Sequence, residues 1–413
     1  MADLAFIEPR RALRAGAASA CAALLGSALA LLAGQAAGQP ASTRGYADLS
    51  LEELTDVVVT SVSRRPESLA GAAASVQVVT GDDLRRAGVT TLPEALRLVP
   101  TLQVAALNAS QYSITARGFG SSIANKLLVM IDGRTIYSPL FSGVFWEAQD
   151  VLIEDIEQIE VVSGPGGAAW GTNAVNGVIN IITKPADDTQ GAVGKVIAGN
   201  SERTVAARYG FVLGESSSAR VYAKRFERDA FDLAGGGDAH DGWGRTQVGF
   251  RTDTRFGDDV VTLQGDAYRG HSDERPEFGA IRLSGYNVLG RWTRRLGEKA
   301  DVEVQAYLDR SNRVDRFVLQ ERANLFDVEA KGRLQTGAHR WLFGAGYRRG
   351  RDHSEPGVYF AFVPAGRTEQ WLSVFAQDQI RLAPAVELNS ARASSAIPTA
   401  DGRCCRVPSS PGT

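Results

Sequence analysis

The chain has 413 residues, 44% of them apolar, enough for one large packed domain or several ordinary ones and too many for a chain disordered throughout. A formal net charge of −2, with both signs interspersed, offers no basic stripe to a polyanion, so nucleic acid is not expected as a partner. Cys21 and the adjacent Cys404 and Cys405 are the only cysteines, so no disulfide framework staples the body.

Residues 1–39 read as a secretory signal peptide. Arg10, Arg11 and Arg14 precede an apolar run from Ala17 to Ala33, and small residues follow at Gly34, Ala36, Ala37 and Gly38. The run is short for a membrane span, and Gln39 and Pro40 follow it without a stop-transfer cluster. Asp48 to Leu54 then makes a short amphipathic turn, and Asp56 to Thr60 an isolated extended peptide outside any core. Val76 to Thr80 is a predicted strand and Asp82 to Ala87 a short helix. Thr91 and Glu94 are spaced as a capping box with Pro93 in the first turn, which predicts a second helix over Leu92 to Leu98, stopped before Pro100. Strands follow at Gln111 to Arg117 and Leu127 to Ile131, with Asp132-Gly133 as a turn. As far as Lys184 the pattern is a small α+β domain.

Ile156 to Thr183 places a glycine-studded turn between two β-branched runs. Gly164, Gly166 and Ala169 have the spacing of a dinucleotide fingerprint, with Asp187 and Asp188 downstream. A βαβ crossover needs a helix there, and Pro165, the further glycines and two asparagines between Ser163 and Gly177 do not permit one. No Lys-Ser or Lys-Thr follows the glycines, which excludes a phosphate-cradling P-loop.

After Pro185 the pattern changes to alternation with period two. Ala300, Val302, Val304, Ala306 and Leu308 share one face of a strand; Asp301, Glu303, Gln305, Tyr307 and Asp309 share the other. Phe326 to Leu334 and Val261 to Tyr268 repeat the scheme. Long strands with one apolar and one charged face suit a membrane β-barrel, where apolar groups meet lipid and the lumen stays wet. A soluble antiparallel sandwich alternates too; the number and length of the strands, and export without disulfides, favour the barrel. His240, His271, His339 and His353 lie apart, none with a second ligand at metal spacing. No catalytic residue, metal or cofactor is predicted, and an enzyme is not expected.

Four stretches in order, Ala74 to Pro100, Thr115 to Gly120, Lys126 to Gln149 and Ile156 to Thr183, resemble the plug motifs of TonB-dependent outer-membrane receptors. The resemblance implies a mainly β protein, an α+β plug filling a transmembrane barrel of about twenty-two strands. It implies that Asp56, Val57, Val58, Val59, Thr60 and Ser61 form a TonB box, a peptide that pairs as an added strand with the energy-coupling TonB complex; the other reading is an ordinary first plug strand. Arg117, Glu157 and Glu160 match charged plug positions that in the family contact the barrel wall, while Ser163 stands where the family commonly has arginine. Asn108, Gln111 and Tyr112 in one plug loop, with Tyr137, Phe141, Phe145 and Trp146 in another, offer aromatic walls with a few polar groups for a ligand; the second set suits plug-to-barrel packing equally well. Iron chelates and cobalamin are the substrate classes implied, and the sequence does not choose between them.

A barrel of that type, at roughly ten residues per strand plus loops, needs more than about four hundred residues beyond the plug. The alternating segments from Gly191 to Leu388 amount to about ten strands, and the period is lost from Asn389 onward. The expected organisation is a signal peptide (1–39), a periplasmic segment with the box-like strand (40–73), the plug (74–185), a partial barrel (186–388) and an aberrant, disordered tail (389–413) produced by a frameshift or early stop. A natural small barrel is the other reading of that ending, although the plug would hardly fit inside one. Two functions follow: an energy-coupled receptor in the outer membrane of a Gram-negative bacterium, or a truncated product whose soluble plug only binds TonB.

Overall fold

The computed structural model describes residues 57–408 apart from 73, 119, 122–123, 165–169, 171–173, 276, 359–360, 384–385 and 399–403. The signal-peptide segment, the amphipathic turn at 48–54, Asp56 and most of the glycine-rich turn therefore lie outside the described residues.

β1 (Val58–Val59) and β2 (Glu67–Ser68) form a short antiparallel ribbon. β3 (Ser75–Thr80) runs directly into α1 (Gly81–Ala87), whose first turn is closed reciprocally. The Asp83 N–H donates to Thr80 Oγ1 at 3.1 Å and the Thr80 N–H to Asp83 Oδ2 at 3.0 Å. α2 (Leu92–Leu96) ends two residues before the predicted Leu98, and the box predicted at Thr91 and Glu94 is absent. Thr91 makes no side-chain cap, because Glu94 faces outward to the Arg228 guanidinium at 3.0 Å, and a charge-assisted bond outcompetes a backbone amide.

β4 (Leu102–Ala106), a strand not predicted, pairs with β5 (Tyr112–Ala116). β6 (Leu127–Ile131) turns through Asp132 (φ 51°) and Gly133 (φ 82°) into β7 (Arg134–Thr135), with both central residues in the left-handed region a tight hairpin demands. β8 (Ile156–Ser163) and β9 (Gly177–Thr183) complete a sheet ordered β3-β8-β9-β6-β7, in which only β6 and β9 run parallel. Leu84, Leu92, Leu96, Ile156, Ile159, Ile179 and Ile181 are fully buried between the helices and this sheet. Leu128, Met130, Val162 and Val178 form a second, smaller cluster.

The rest is one antiparallel meander of twelve strands, each bonded to the next. They are β10 (Gly191–Ala198), β11 (Glu202–Val212), β12 (Ser217–Arg228), β13 (Trp243–Phe256), β14 (Asp259–Ser272) and β15 (Ile281–Arg295), then β16 (Ala300–Val314), β17 (Leu319–Thr336), β18 (His339–Pro356), β19 (Gly366–Ala383), β20 (Val386–Pro398) and β21 (Cys404–Pro408). The predicted end of strand structure at Leu388 is corrected here. β20 crosses it and pairs with β19 as far as Leu372 opposite Ala396, since main-chain bonds extend a sheet without requiring side-chain alternation.

The two rims of this wall differ. Among the described residues, one carries only tight connections, at 213–216, 257–258, 296–299 and 337–338; the other carries the long ones, between Arg228 and Trp243, Ser272 and Ile281, and Pro356 and Gly366. The predicted faces hold: Leu308 is 53% exposed on the outer face while its neighbour Tyr307 is 2% exposed on the inner one. Val221, Phe250, Leu263, Val288, Phe326, Phe343 and Leu372 continue the exposed apolar face around the sheet. The segment that leads from plug to wall packs tightly on Gly210 of β11, where a Cβ would lie 1.9 Å from the Thr189 carbonyl oxygen.

Candidate functional site

The inner face of the wall meets the plug in three zones. At the long-loop rim, the plug loop 107–111 is folded around Asn108, whose Oδ1 accepts from the N–H groups of Ser110 (3.0 Å) and Gln111 (2.7 Å). Its tip is pinned to the wall. Ala109 is buried against Phe226 and Trp243 and donates its N–H to Asp241 Oδ2 at 2.8 Å, and the Ser110 and Ser272 hydroxyls are 2.8 Å apart. Tyr112 is buried, its hydroxyl accepting from Arg228 at 3.0 Å, and burial pushes the phenol above its ordinary pKa. Arg228 also reaches Glu202 at 2.9 Å, so one guanidinium ties two wall strands to the plug.

The second plug loop reaches the same rim. Ser138 donates to Glu321 of β17 at 2.9 Å, and Glu147 faces Arg313 of β16 at 3.6 Å. Phe141 and Phe145 pack edge to face at 4.8 Å, and Arg313 lies 5.1 Å from the centre of the Phe145 ring. Trp146 belongs to the plug core. Tyr137, like Trp170 and Val62, packs against the smaller plug cluster. Of the residues expected to line a ligand site, Asn108, Gln111, Phe141 and Phe145 are half-buried on these loops, Tyr112 bonds Arg228, and Tyr137 and Trp146 pack into the plug clusters.

Below the rim lies a charged seam. Asp155 pairs with Arg208 at 2.6 Å and Arg220 at 3.3 Å, and Asp150 with Lys224 at 2.7 Å, with every partner under a tenth exposed. Glu154 pairs with Lys195 at 2.6 Å, and Arg134 with Asp309. A cavity of about 30 Å³, room for a water molecule, remains among Asp132, Arg134, Arg220, Arg251 and Asp266. These residues join plug to wall; of the three expected there, Glu157 lies within electrostatic reach of Arg251 of the wall, whereas Glu160 turns to Thr60 and Ser61 of the chain's own leading segment. Arg117 is exposed with its guanidinium beside Gly164, and Glu157 is exposed at the start of β8. Both acids and cations of the true seam fall on predictable faces, but only the folded register joins residue 155 to residues 208 and 220.

Glu160 acts at the tight-turn end of the molecule. Fully buried, its carboxylate accepts from the N–H groups of Thr60 (3.0 Å) and Ser61 (2.7 Å) and from the Thr60 hydroxyl at 3.2 Å. Asn180 donates to Ser61 Oγ at 3.1 Å, and Trp170 Nε1 to the Ser61 carbonyl at 2.6 Å. The box-like segment is thus not the isolated peptide expected. Val57, Val59 and Ser61 are buried and Val58 is exposed, because alternate residues of an extended chain face the plug while main-chain donors need acceptors.

Residues 68–178 match the family described as the TonB-dependent Receptor Plug Domain. The chain is 33% identical over 150 residues to a vitamin B12 transporter of Vibrio vulnificus, covering 36% of this chain and 24% of that protein. It is 26% identical over 294 residues to a vitamin B12 transporter of Photobacterium profundum (69% and 46% covered), and 29% identical over 239 residues to a ferric enterobactin receptor of Pseudomonas aeruginosa (51% and 31% covered). The matched stretches span less than half of each of these relatives. Among solved structures, the P. aeruginosa ferric enterobactin receptor PfeA superposes with a TM-score of 0.63 at 17% identity, over 79% of this chain and 58% of that one. The P. aeruginosa receptor FpvA gives 0.64 at 14% identity, over 85% and 55%. Residues 68–178 thus carry the plug domain of TonB-dependent receptors, and the chain as a whole shares the fold of these solved receptors.

Proposed function

We propose that the chain is the plug and leading wall of an outer-membrane receptor that carries a scarce chelate or vitamin inward, with energy supplied by TonB through residues 56–61. In this reading residues 1–39 direct export, 40–73 face the periplasm, 74–185 form the plug and the strands from Gly191 onward the wall. The observation that carries it is the polarity of the plug. Half-buried aromatic and amide groups (Gln111, Phe141, Phe145) sit at the rim with long loops, and the clasped strand at 57–61 sits toward the tight-turn end. The clasped segment is bonded to β8 and β9, and β4 and β5, which carry the first loop, pack into the same core as that sheet, so strain applied at one end has a packed route to the other. The relatives' names favour cobalamin or a ferric siderophore as the ligand class.

The test is uptake of labelled cobalamin and of a ferric siderophore by receptor-deficient cells expressing this chain. Uptake of one class is expected, and Val58→Pro, which removes a main-chain donor from the pairing segment, abolishes it. Absence of uptake, with the product recovered from the periplasm bound to TonB, would favour the soluble-plug reading instead.

A further inference from the structure

The outer face of the wall carries a groove of about 570 Å³ just below the long-loop rim, outside every plug contact described above. Arg269, Arg310 and Arg322 line it with Ser284, Tyr286 and Asn312. Strand register explains the cluster. Arg269, Ser284, Asn312 and Arg322 lie in one cross-strand row, and Tyr286 and Arg310 form the next row on the same face, so β14 to β17 project polar or aromatic groups into two adjacent rows. All three arginines are exposed. Arg322 has an exposed partner, Glu355, at 3.6 Å; among the described residues no carboxylate pairs with Arg269 or Arg310. Three like charges lining one groove on β14, β16 and β17 repel one another, and an anion between them relieves the repulsion.

One pleat toward the tight-turn rim the surface becomes apolar. Val288 lies opposite Leu308, and Leu308 opposite Phe326, each well exposed. Farther in the same direction, Trp292 and Trp341 are exposed on the same face. A ligand that fits must therefore be amphiphilic, with an anionic, hydrogen-bond-accepting head at the groove and hydrocarbon lying on the apolar band. We propose that this groove binds the phosphorylated headgroup of a lipid in the leaflet that meets the long-loop rim. The proposal rests on the sheet being a membrane wall.

The test reconstitutes the full chain into phosphatidylcholine vesicles doped with bisphosphorylated lipid A or with its dephosphorylated form, then counts lipids co-extracted with the protein by native mass spectrometry. The phosphorylated lipid should be retained about tenfold better, and the double variant Arg269→Glu, Arg310→Glu should lose that preference. Arg294→Glu, an exposed outer-face change near the tight-turn rim, should keep it. Equal retention of both lipids, or equal loss in the Arg294 variant, overturns the assignment. Displacement by inorganic phosphate alone would reduce the groove to an ion site and overturn the lipid. A chain that fails to float with the vesicles overturns the wall and the groove together, whereas one that floats without phosphate-dependent retention overturns the groove only.

Discussion

Plug and wall bury opposite kinds of surface. The plug places Leu84, Leu96, Ile159 and Ile181 inside and its polar groups outside, like any small α+β domain. The wall turns apolar residues such as Val288, Leu308 and Phe326 out and Arg208, Arg220, Lys224 and Gln247 in. The two meet through ions, because the plug's outer surface and the wall's inner surface are the polar faces of each. A protein built this way holds its parts together by charge pairing at the seam and by hydrophobic burial within the plug, and the two can be perturbed separately.

The largest effect should come from Asp155→Ala, which leaves Arg208 and Arg220 buried beside an absent partner. Breaking one side of a buried ion cluster costs about 3–5 kcal/mol. Limited proteolysis should show the plug released at denaturant concentrations the parent survives; unchanged resistance would mean the seam does not hold it. Ile159→Ala should cost the plug about 2–5 kcal/mol through the cavity left, while Leu308→Ala on the outer face should leave denaturation in detergent nearly unchanged. Equal effects would erase the contrast between the two regions.

Glu160→Gln keeps the shape of the clasp and weakens its charge-assisted bonds to Thr60 and Ser61, by about 1–2 kcal/mol. Spin labels at Val58 should gain mobility while the core stays folded. The smallest effect concerns Glu147, whose carboxyl pKa is raised by burial, with Arg313 opposing. Its folded pKa exceeds the unfolded value, so its contribution to stability is full below the ordinary glutamate range, near about 4.3, and is lost as pH rises through the raised value. Thermal unfolding of Glu147→Gln should therefore fall less than that of the parent between mildly acidic and neutral pH, and parallel curves would count against this.

Regular alternation made the wall legible: the faces of β14, β16 and β17 follow from period two alone. Capping was read less well. Thr80-Asp83 and Thr91-Glu94 look equally competent as sequences, and the difference is Arg228, more than a hundred residues away. β4 escaped notice because LQVAA is short and mostly exposed, becoming a strand only beside β5. The partners of Glu160 were not legible either: the family resemblance implies a wall contact, and only the folded chain brings Thr60 and Ser61 back onto its carboxylate.

The inward-facing arginines and lysine have a further consequence, for reversibility. Hydrocarbon exposed by a withdrawing plug would collapse on itself and trap the displaced state, whereas Arg208, Arg220, Lys224, Gln247 and Arg251 would take up water as readily as they gave up their plug partners. The lining is therefore self-wetting, and a plug segment drawn off it can slide back with little hysteresis.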